Sequence, residues 1–198
     1  MYNRFMNKPE LKKPEILFAG EAFIGDDGKL YETVESYYKK MVNLGVMVGN
    51  AVLSGEILRP TRIVSIPRGS LLVTDTVARM LKMTGDQVVS YGLSLYSDEQ
   101  RNDRFRIGQR PPRELIEQEI VLVVDEVADT TKTLERAKID LQELDPFRLY
   151  TAAVYDKLMP NTCRPDFVAA HTDEHDRWIV FPNEPLEEYG KAFEANLE

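Results

Sequence analysis

The side chains best suited to chemistry in this sequence are three acids and a group of hydroxyls that follow one largely apolar run. Asp125 and Glu126 come directly after the run at 119–124, and Asp129 opens a threonine-rich segment at 130–133. Carboxylates accept hydrogen bonds from sugar hydroxyls and bind hard cations, whereas amides and hydroxyls at a helix start surround phosphate groups. The spacing therefore indicates a site for a phosphorylated sugar.

A purely structural explanation of the same residues is also available. Asp129 or Thr130 could cap the following helix, and Asp125 and Glu126 could complement the helix dipole. Spacing alone does not separate this explanation from phosphate binding. The pattern G-x-x-x-x-G-K-[ST] does not occur in the sequence, which disfavours a nucleoside triphosphatase.

Strands and helices alternate along the chain and position these residues. The apolar patterns predict strands at 62–66, 87–95, 119–124, 149–155, 166–170 and 178–181. They predict helices at about 33–57, from Ser70 to about 82, and from the threonine-rich turn to about 144. This order is typical of the α/β fold class: a mostly parallel twisted sheet with helices on both faces. Its ligands are expected at the C-terminal ends of the strands.

Two regions lie outside this alternation. The polar segment 97–113 ends in a double proline and predicts a mobile loop; it contains Arg101, Arg104, Arg106 and Arg110. The residues Gly25–Gly28 have the composition of a turn and predict a small hairpin. We expect a single domain whose core covers about 31–160, with a small hood lobe formed by about 1–30 and 161–198.

The composition restricts the partners and the location of the protein. Its net charge is -8 and its pI is near 5.0, without a basic run, so neither nucleic acid nor a membrane is an expected partner. A small anionic substrate stays compatible, because backbone amides, a few arginines and a metal supply local positive charge. Cys163 is the single cysteine, and no segment resembles a signal peptide or a membrane span, which together predict a cytoplasmic protein.

Residues 121–134 resemble the phosphoribosyl pyrophosphate signature of the type I phosphoribosyltransferases. The resemblance implies that Asp125 and Glu126 face the ribose hydroxyls and a Mg²⁺ cofactor, and that Asp129 lies beside N7 of a purine. It further implies that the 5-phosphate is bound by Thr130, Thr131, Lys132 and Thr133. The family usually has glycine at the position of Thr131, and glycine tolerates close phosphate approach and unusual dihedral angles.

A second segment, 63–71, resembles the pyrophosphate loop of the same family and has Arg68 and Gly69 at its centre. In this family the peptide that enters the loop is often a non-proline cis bond, which here would join Pro67 to Arg68. Ser70 stands where a second glycine is common. A helix dipole disfavours a cation at a helix start unless an anion is bound there, so the position of Arg68 also favours an anionic ligand.

A third resemblance concerns the base. Lys157 and the segment 176–179 resemble the purine-contacting residues of xanthine and hypoxanthine-guanine phosphoribosyltransferases. This implies that Lys157 donates to O6, that Trp178 stacks on the ring, and that main-chain groups of Trp178 and Ile179 read the purine edge. A lysine ammonium favours a 6-oxo acceptor over a 6-amino donor. The expected substrates are phosphoribosyl pyrophosphate and a 6-oxopurine, namely hypoxanthine, guanine or xanthine.

Other functions stay open at this point. The same fold serves as a regulatory protein that senses phosphoribosyl pyrophosphate, which the departures at Thr131 and Ser70 favour and the acidic charge opposes. A pyrimidine phosphoribosyltransferase is the other alternative, opposed by Lys157 and Trp178. Ordinary core packing would also explain Trp178. The resemblance further implies a homodimer or a homotetramer.

Overall fold

The computed structural model describes residues 16–97, 103–158, 164–172 and 177–195. The strands are β1 (Phe23–Ile24), β2 (Leu30–Tyr31), β3 (Arg62–Ser65), β4 (Val88–Ser90), β5 (Leu93–Ser97), β6 (Asp103–Ile107), β7 (Ile120–Ala128), β8 (Arg148–Asp156), β9 (Phe167–His171) and β10 (Ile179–Val180). The helices are α1 (Val34–Leu53), α2 (Ser70–Met80), α3 (Lys132–Gln142) and α4 (Glu184–Ala195).

Five strands form one parallel sheet in the order β4-β3-β7-β8-β9. β3 leads into α2 and β7 leads into α3, so each of these strands is followed by a helix. The α/β fold class predicted from the sequence is confirmed. Because parallel strands all end at the same edge of a sheet, the residues after β3, β7 and β8 come together there.

The central strand β7 is covered on both faces. Val121 and Val123 belong to an apolar cluster that includes Leu134 and Leu141 of α3. Side chains alternate between the faces of a strand, so Leu122 lies on the opposite face, and it is fully buried as well. Burial on both sides explains why this strand is an unbroken apolar run and not an alternating one.

The segment predicted as one strand at 87–95 is in fact two. β4 belongs to the parallel sheet, whereas β5 pairs only with β6 in an antiparallel hairpin. The chain leaves the sheet at Gly92, whose N–H donates to the carbonyl of Gln109 at 2.9 Å. A Cβ at Gly92 would lie 3.0 Å from the nitrogen of Gln109, so this close approach requires glycine. β6 also corrects the prediction that 97–113 is a loop throughout; residues 98–102 lie outside the described ranges.

The described residues 16–39 and 177–195 form one compact unit, and those between 40 and 172 form another. The smaller unit contains a three-stranded sheet in the order β1-β2-β10, with β1 antiparallel and β10 parallel to β2. The predicted hairpin is confirmed, since the N–H of Gly28 donates to the carbonyl of Gly25 at 2.9 Å across its turn. The guanidinium of Arg177 donates to the carbonyl of Gly28 at 2.8 Å and ties two distant segments of this unit together.

The end of the chain differs from the sequence prediction in two respects. α4 was not predicted, although Pro185 lies in its first turn, where a missing N–H is tolerated. The sequence assigns 161–198 to the hood lobe, whereas β9, within that range, pairs with β8 of the main sheet. None of the helices in the described ranges has both the length and the apolar character needed to cross a bilayer.

Candidate functional site

The two acids of the signature lie within a strand and not after one. β7 continues to Ala128, four residues beyond its predicted end, and pairs with β8 up to Asp156. Since successive side chains point to opposite faces, Asp125 lies on the same face as Val123, towards α3, and Glu126 lies on the other face. The structure therefore separates two carboxylates that the sequence suggests as neighbours.

The carboxyl of Asp125 is half-buried. Its Oδ1 accepts a hydrogen bond from the N–H of Glu126 at 2.8 Å. Burial raises the pKa of Asp125 from its ordinary value of 3.8 to about 7, and the single backbone donor only partly opposes this effect. A ligand that brings positive charge or hydroxyl donors would favour the ionised form of this group.

Glu126 lies against the loop that resembles a pyrophosphate-binding segment. A Cβ built on Gly69 would come within 2.1 Å of Oε2 of Glu126 and 3.1 Å of its Cβ. Gly69 is therefore the point at which the loop after β3 meets the end of β7. The two segments picked out by resemblance are adjacent in space, as a common ligand site requires.

The loop itself has the predicted backbone. The peptide bond between Pro67 and Arg68 is cis, which confirms the expectation drawn from the resemblance. Ser70, which replaces a glycine common in the family, is fully buried; its hydroxyl lies 2.8 Å from that of Ser65 and donates to the carbonyl of Ile66 at 2.6 Å. The serine therefore fastens the start of α2 to the end of β3, while the side chain of Arg68 is exposed.

The threonine-rich turn ends in a left-handed residue. Thr131 has φ of +57° and is the residue before α3, whereas the sequence suggests Asp129 or Thr130 as the cap. Its carbonyl accepts the N–H of Glu135 at 2.8 Å, the first hydrogen bond of the helix, and its hydroxyl lies 3.4 Å from a carboxylate oxygen of Glu135. The positive φ explains why glycine is usual here. The first turn of α3, with Lys132 and Thr133, directs its N–H groups out of this end of the helix.

Asp129 and Lys157 are brought together although 28 positions separate them. Nζ of Lys157 lies 3.2 Å from Oδ1 of Asp129. The lysine side chain is almost fully buried, at 6% exposure, whereas that of Asp129 is 48% exposed. The N–H of Lys157 also donates to the carbonyl of Ala128 at 3.2 Å, which fixes the lysine backbone to the end of β7. The pair offers a carboxylate and an ammonium side by side at the C-terminal edge of the sheet.

Trp178 and Ile179 belong to the smaller unit. Trp178 is 56% exposed and its indole N–H donates to Glu184 at 3.4 Å, so core packing is not its role. Its carbonyl accepts the N–H of Leu30 at 2.9 Å, and the carbonyl of Val180 accepts that of Glu32 at 3.0 Å. Trp178 and Val180 thus direct these carbonyl groups towards β2. In a parallel pair of strands, the residue between two such residues directs its N–H and C=O away from the partner strand. Ile179 is that residue, and because β10 is an edge strand of the described sheet, its N–H and C=O face the unpaired edge. Ile179 thus suits main-chain recognition of a base better than Trp178 does.

A cavity of about 270 Å³ lies beside the loop after β3. It is lined by Pro67, Gly92, Leu93, Ser94, Arg106 and Gly108. The hairpin thus contributes an arginine to a cavity that begins at the cis peptide. In the sequence, Arg106 is one of several arginines in a polar segment, and its position alone does not distinguish it from the others.

The donor set fits Mg²⁺ shared with a ligand. Within the described ranges, no group of three or more His, Cys, Asp or Glu side chains could hold a metal ion. Mg²⁺ is commonly bound by one or two carboxylates together with substrate phosphates and water. Glu126, beside the loop at Gly69, can supply such a carboxylate.

Comparison with known proteins agrees with this geometry. Residues 49–188 match the family model of the phosphoribosyl transferase domain. The chain belongs to the phosphoribosyltransferase family. No curated protein matches it significantly by sequence.

Solved structures share the fold at low identity. A purine phosphoribosyltransferase from Pyrococcus horikoshii is 24% identical, with a TM-score of 0.60, over 78% of this chain and 93% of its own. A xanthine-guanine-hypoxanthine phosphoribosyltransferase from Helicobacter pylori is 21% identical, with a TM-score of 0.63, over 82% and 97%. A Neisseria gonorrhoeae hypothetical protein with bound ppGpp is 20% identical, with a TM-score of 0.63, over 81% and 93%.

Proposed function

We propose that the protein is a purine phosphoribosyltransferase, which transfers ribose 5-phosphate from phosphoribosyl pyrophosphate to a 6-oxopurine and releases pyrophosphate. The observation that carries the proposal is the pair of Asp129 and Lys157, 3.2 Å apart at the ends of β7 and β8. N7 and O6 lie on one edge of a 6-oxopurine, so a protonated N7 can donate to the carboxylate while O6 accepts from the ammonium. A 6-amino group would turn a donor towards the lysine, so adenine should be rejected.

The sugar donor would span the two adjacent loops. The 5-phosphate is proposed to bind the first turn of α3, where N–H groups and hydroxyls converge. Glu126 would hold the ribose hydroxyls and share Mg²⁺ with the pyrophosphate, and Asp125 would support it. The residues proposed to hold the phosphate groups are Arg68, Gly69, Thr130, Thr131, Lys132 and Thr133.

In the proposed reaction a purine ring nitrogen forms a bond to C1 of the ribose as the bond from C1 to pyrophosphate breaks. Positive charge develops on the sugar and negative charge on the leaving group. Arg68 would offset the charge on pyrophosphate, and bound Mg²⁺ would add electrostatic stabilisation there. Asp129 would hold the proton at N7, and Trp178 and Ile179 are proposed to stack on and read the base.

One assay tests this proposal. The protein is incubated with Mg²⁺, phosphoribosyl pyrophosphate and, in turn, hypoxanthine, guanine, xanthine, adenine and uracil, and nucleotide is measured. We expect nucleotide from at least one 6-oxopurine and none from adenine or uracil. Lys157→Gln should remove this activity, whereas Lys39→Gln, at an exposed lysine with its own ion pairs, should not. Product from uracil alone would identify a pyrimidine transferase instead.

A sensor of phosphoribosyl pyrophosphate is the second candidate. It is favoured by Thr131, which stands where the family usually has glycine, and by the similarity to a protein solved with bound ppGpp. The sensor would bind phosphoribosyl pyrophosphate, measured by calorimetry, and form no nucleotide from any base. Binding together with turnover would exclude it.

The assembly and the location are proposed on separate grounds. We propose a homodimer or homotetramer, since phosphoribosyltransferases of this type are usually dimeric or tetrameric. We also propose a cytoplasmic location, which the single cysteine, Cys163, favours. Sedimentation at micromolar concentration tests the assembly, and a monomer there would contradict it.

A further inference from the structure

The β5–β6 hairpin packs on α3 through apolar side chains, and it is also joined to that helix through one buried carboxylate. Tyr91 lies two residues before β5, and its hydroxyl donates a hydrogen bond to Oδ2 of Asp140. Arg110, just after the hairpin, places Nη2 at 3.5 Å from Oδ1 of the same residue. Asp140 lies on α3 and is 4% exposed. Both ends of the hairpin therefore contact a single side chain on the helix.

A second residue of α3 completes this attachment. Arg136 lies one turn before Asp140 and contacts its carboxylate twice. Nε donates to Oδ2 at 2.9 Å, and Nη2 lies 2.8 Å from Oδ1. Its guanidinium also lies 5.9 Å from the ring centre of Phe105 in β6, within the range of a cation–π contact. Asp140 thus has two arginines and a phenol around it, and Glu143 lies 3.9 Å from Arg110.

The protonation states of the cluster are fixed around neutral pH. Burial would raise the pKa of Asp140, but hydrogen bonds from Arg136 and Tyr91 outweigh it and hold that pKa below its ordinary value. Burial and the same hydrogen bond raise the pKa of Tyr91 to about 12. The carboxylate therefore stays charged and the phenol stays a donor, so this attachment does not titrate under ordinary conditions.

The location of this cluster connects two parts of the proposed site. α3 begins directly after the threonine-rich turn, and Asp140 lies about 12 Å further along the same helix. The hairpin that Asp140 holds lines the cavity next to Pro67 and contributes Arg106 to it. Movement of the hairpin relative to α3 would change how closely this cavity is covered.

We propose that Asp140 is a positioning residue that holds the β5–β6 hairpin in place over the cavity, so that transfer to the base prevails over loss of the donor to water. This inference rests on the proposed function. If the hairpin is released, water replaces the purine at C1. The bond from C1 to pyrophosphate breaks with its electron pair, a new bond from C1 to the water oxygen forms, and one proton leaves. The products are ribose 5-phosphate and pyrophosphate.

The test measures both products from phosphoribosyl pyrophosphate and Mg²⁺ with a 6-oxopurine present. In Asp140→Asn we expect the ratio of ribose 5-phosphate to nucleotide to rise roughly tenfold or more, because small misplacements are costly in closed sites. Tyr91→Phe, which removes only one hydroxyl, should raise the ratio less and guards against a variant that fails to fold. Asp75→Asn is the matched control, since Asp75 pairs with Arg79 at the same four-residue spacing on α2 but is exposed.

Limited trypsin digestion of the ligand-free protein gives a readout that needs no activity. Cleavage after Arg106, whose side chain is exposed, should accelerate in Asp140→Asn and stay unchanged in Asp75→Asn. An unchanged product ratio in both Asp140→Asn and Tyr91→Phe would overturn the inference, and so would digestion of Asp140→Asn at the rate of the unmodified protein. Absence of nucleotide from the unmodified protein with every base would instead overturn the proposed function.

Discussion

Asp125 and Asp140 are acids next to α3, the first half-buried and the second buried, and their surroundings differ in a way that separates a proposed ligand site from a structural one. Asp140 receives hydrogen bonds from Tyr91 and Arg136, and its pKa is lowered. Asp125 receives one from a backbone N–H, and its pKa is raised to about 7. An acid that receives a full set of hydrogen bonds within the protein stabilises the fold, whereas an acid that lacks them is stabilised by a ligand that supplies them.

The same contrast holds for the lysine and the arginines. Lys157 is buried beside a half-exposed carboxylate at the sheet edge, where a ligand can reach the pair. Arg136 is committed to Asp140 and Phe105. Groups of the first kind should control turnover and binding, and groups of the second kind should control stability and hairpin position.

The largest expected effect is on turnover at the sheet edge. Asp129→Asn should lower kcat roughly 10²- to 10⁴-fold, because a neutral amide cannot accept the N7 proton. KM should change far less, and the free energy of unfolding should fall only modestly, because the amide oxygen of asparagine can still accept a hydrogen bond from the buried Lys157. Steady-state kinetics with a urea titration measure both. An unaltered kcat would remove Asp129 from the catalytic role.

The next effect is on the free energy of unfolding, through the contacts that Tyr91, Arg110 and Arg136 make with Asp140. Asp140→Ala leaves the buried phenol of Tyr91 and the guanidinium of Arg136 without this acceptor, so we expect a loss of about 2–4 kcal/mol in the free energy of unfolding. Asp75→Ala removes an exposed pair and should cost less than about 1 kcal/mol. Equal losses in the two variants, measured by urea titration, would contradict the distinction drawn here.

A smaller effect concerns pH and Asp125. Its folded-state pKa lies above its ordinary value, so the folded state binds the proton more tightly and stability falls as pH rises from about 4 to about 7. Asp125→Asn mimics the protonated form and should be more stable than the unmodified protein by about 1–3 kcal/mol at pH 8 with metal removed. Near pH 4 the two proteins should be alike. Identical pH profiles would show that Asp125 is well solvated.

The smallest effect tests the left-handed residue of the threonine-rich turn, Thr131. With φ of +57°, position 131 favours glycine over any residue with a Cβ. Thr131→Gly should therefore be more stable than Thr131→Ala by about 1 kcal/mol, measured by thermal unfolding. If alanine is the more stable of the two, the turn adopts another conformation in solution.

Much of the site could be predicted because its signals are local. The apolar run of β7, the acids and the turn lie within 14 consecutive residues, and the cis peptide at Pro67 lies within a nine-residue segment. By contrast, the break at Gly92 and the strand β6 were missed, since both depend on backbone pairing between residues 92 and 109. Local composition indicates only that such a segment is polar.

The sequence by itself determined the parallel α/β sheet, the two loops proposed to bind the ligand and their order, because strand and turn propensities act over a few residues. Tertiary structure alone decided that Glu126 meets Gly69, that Lys157 meets Asp129, and that Tyr91 and Asp140 bond across 49 positions. It also decided that the adjacent acids Asp125 and Glu126 face opposite sides of β7. Such contacts depend on strand register and helix packing, which only the complete sheet fixes.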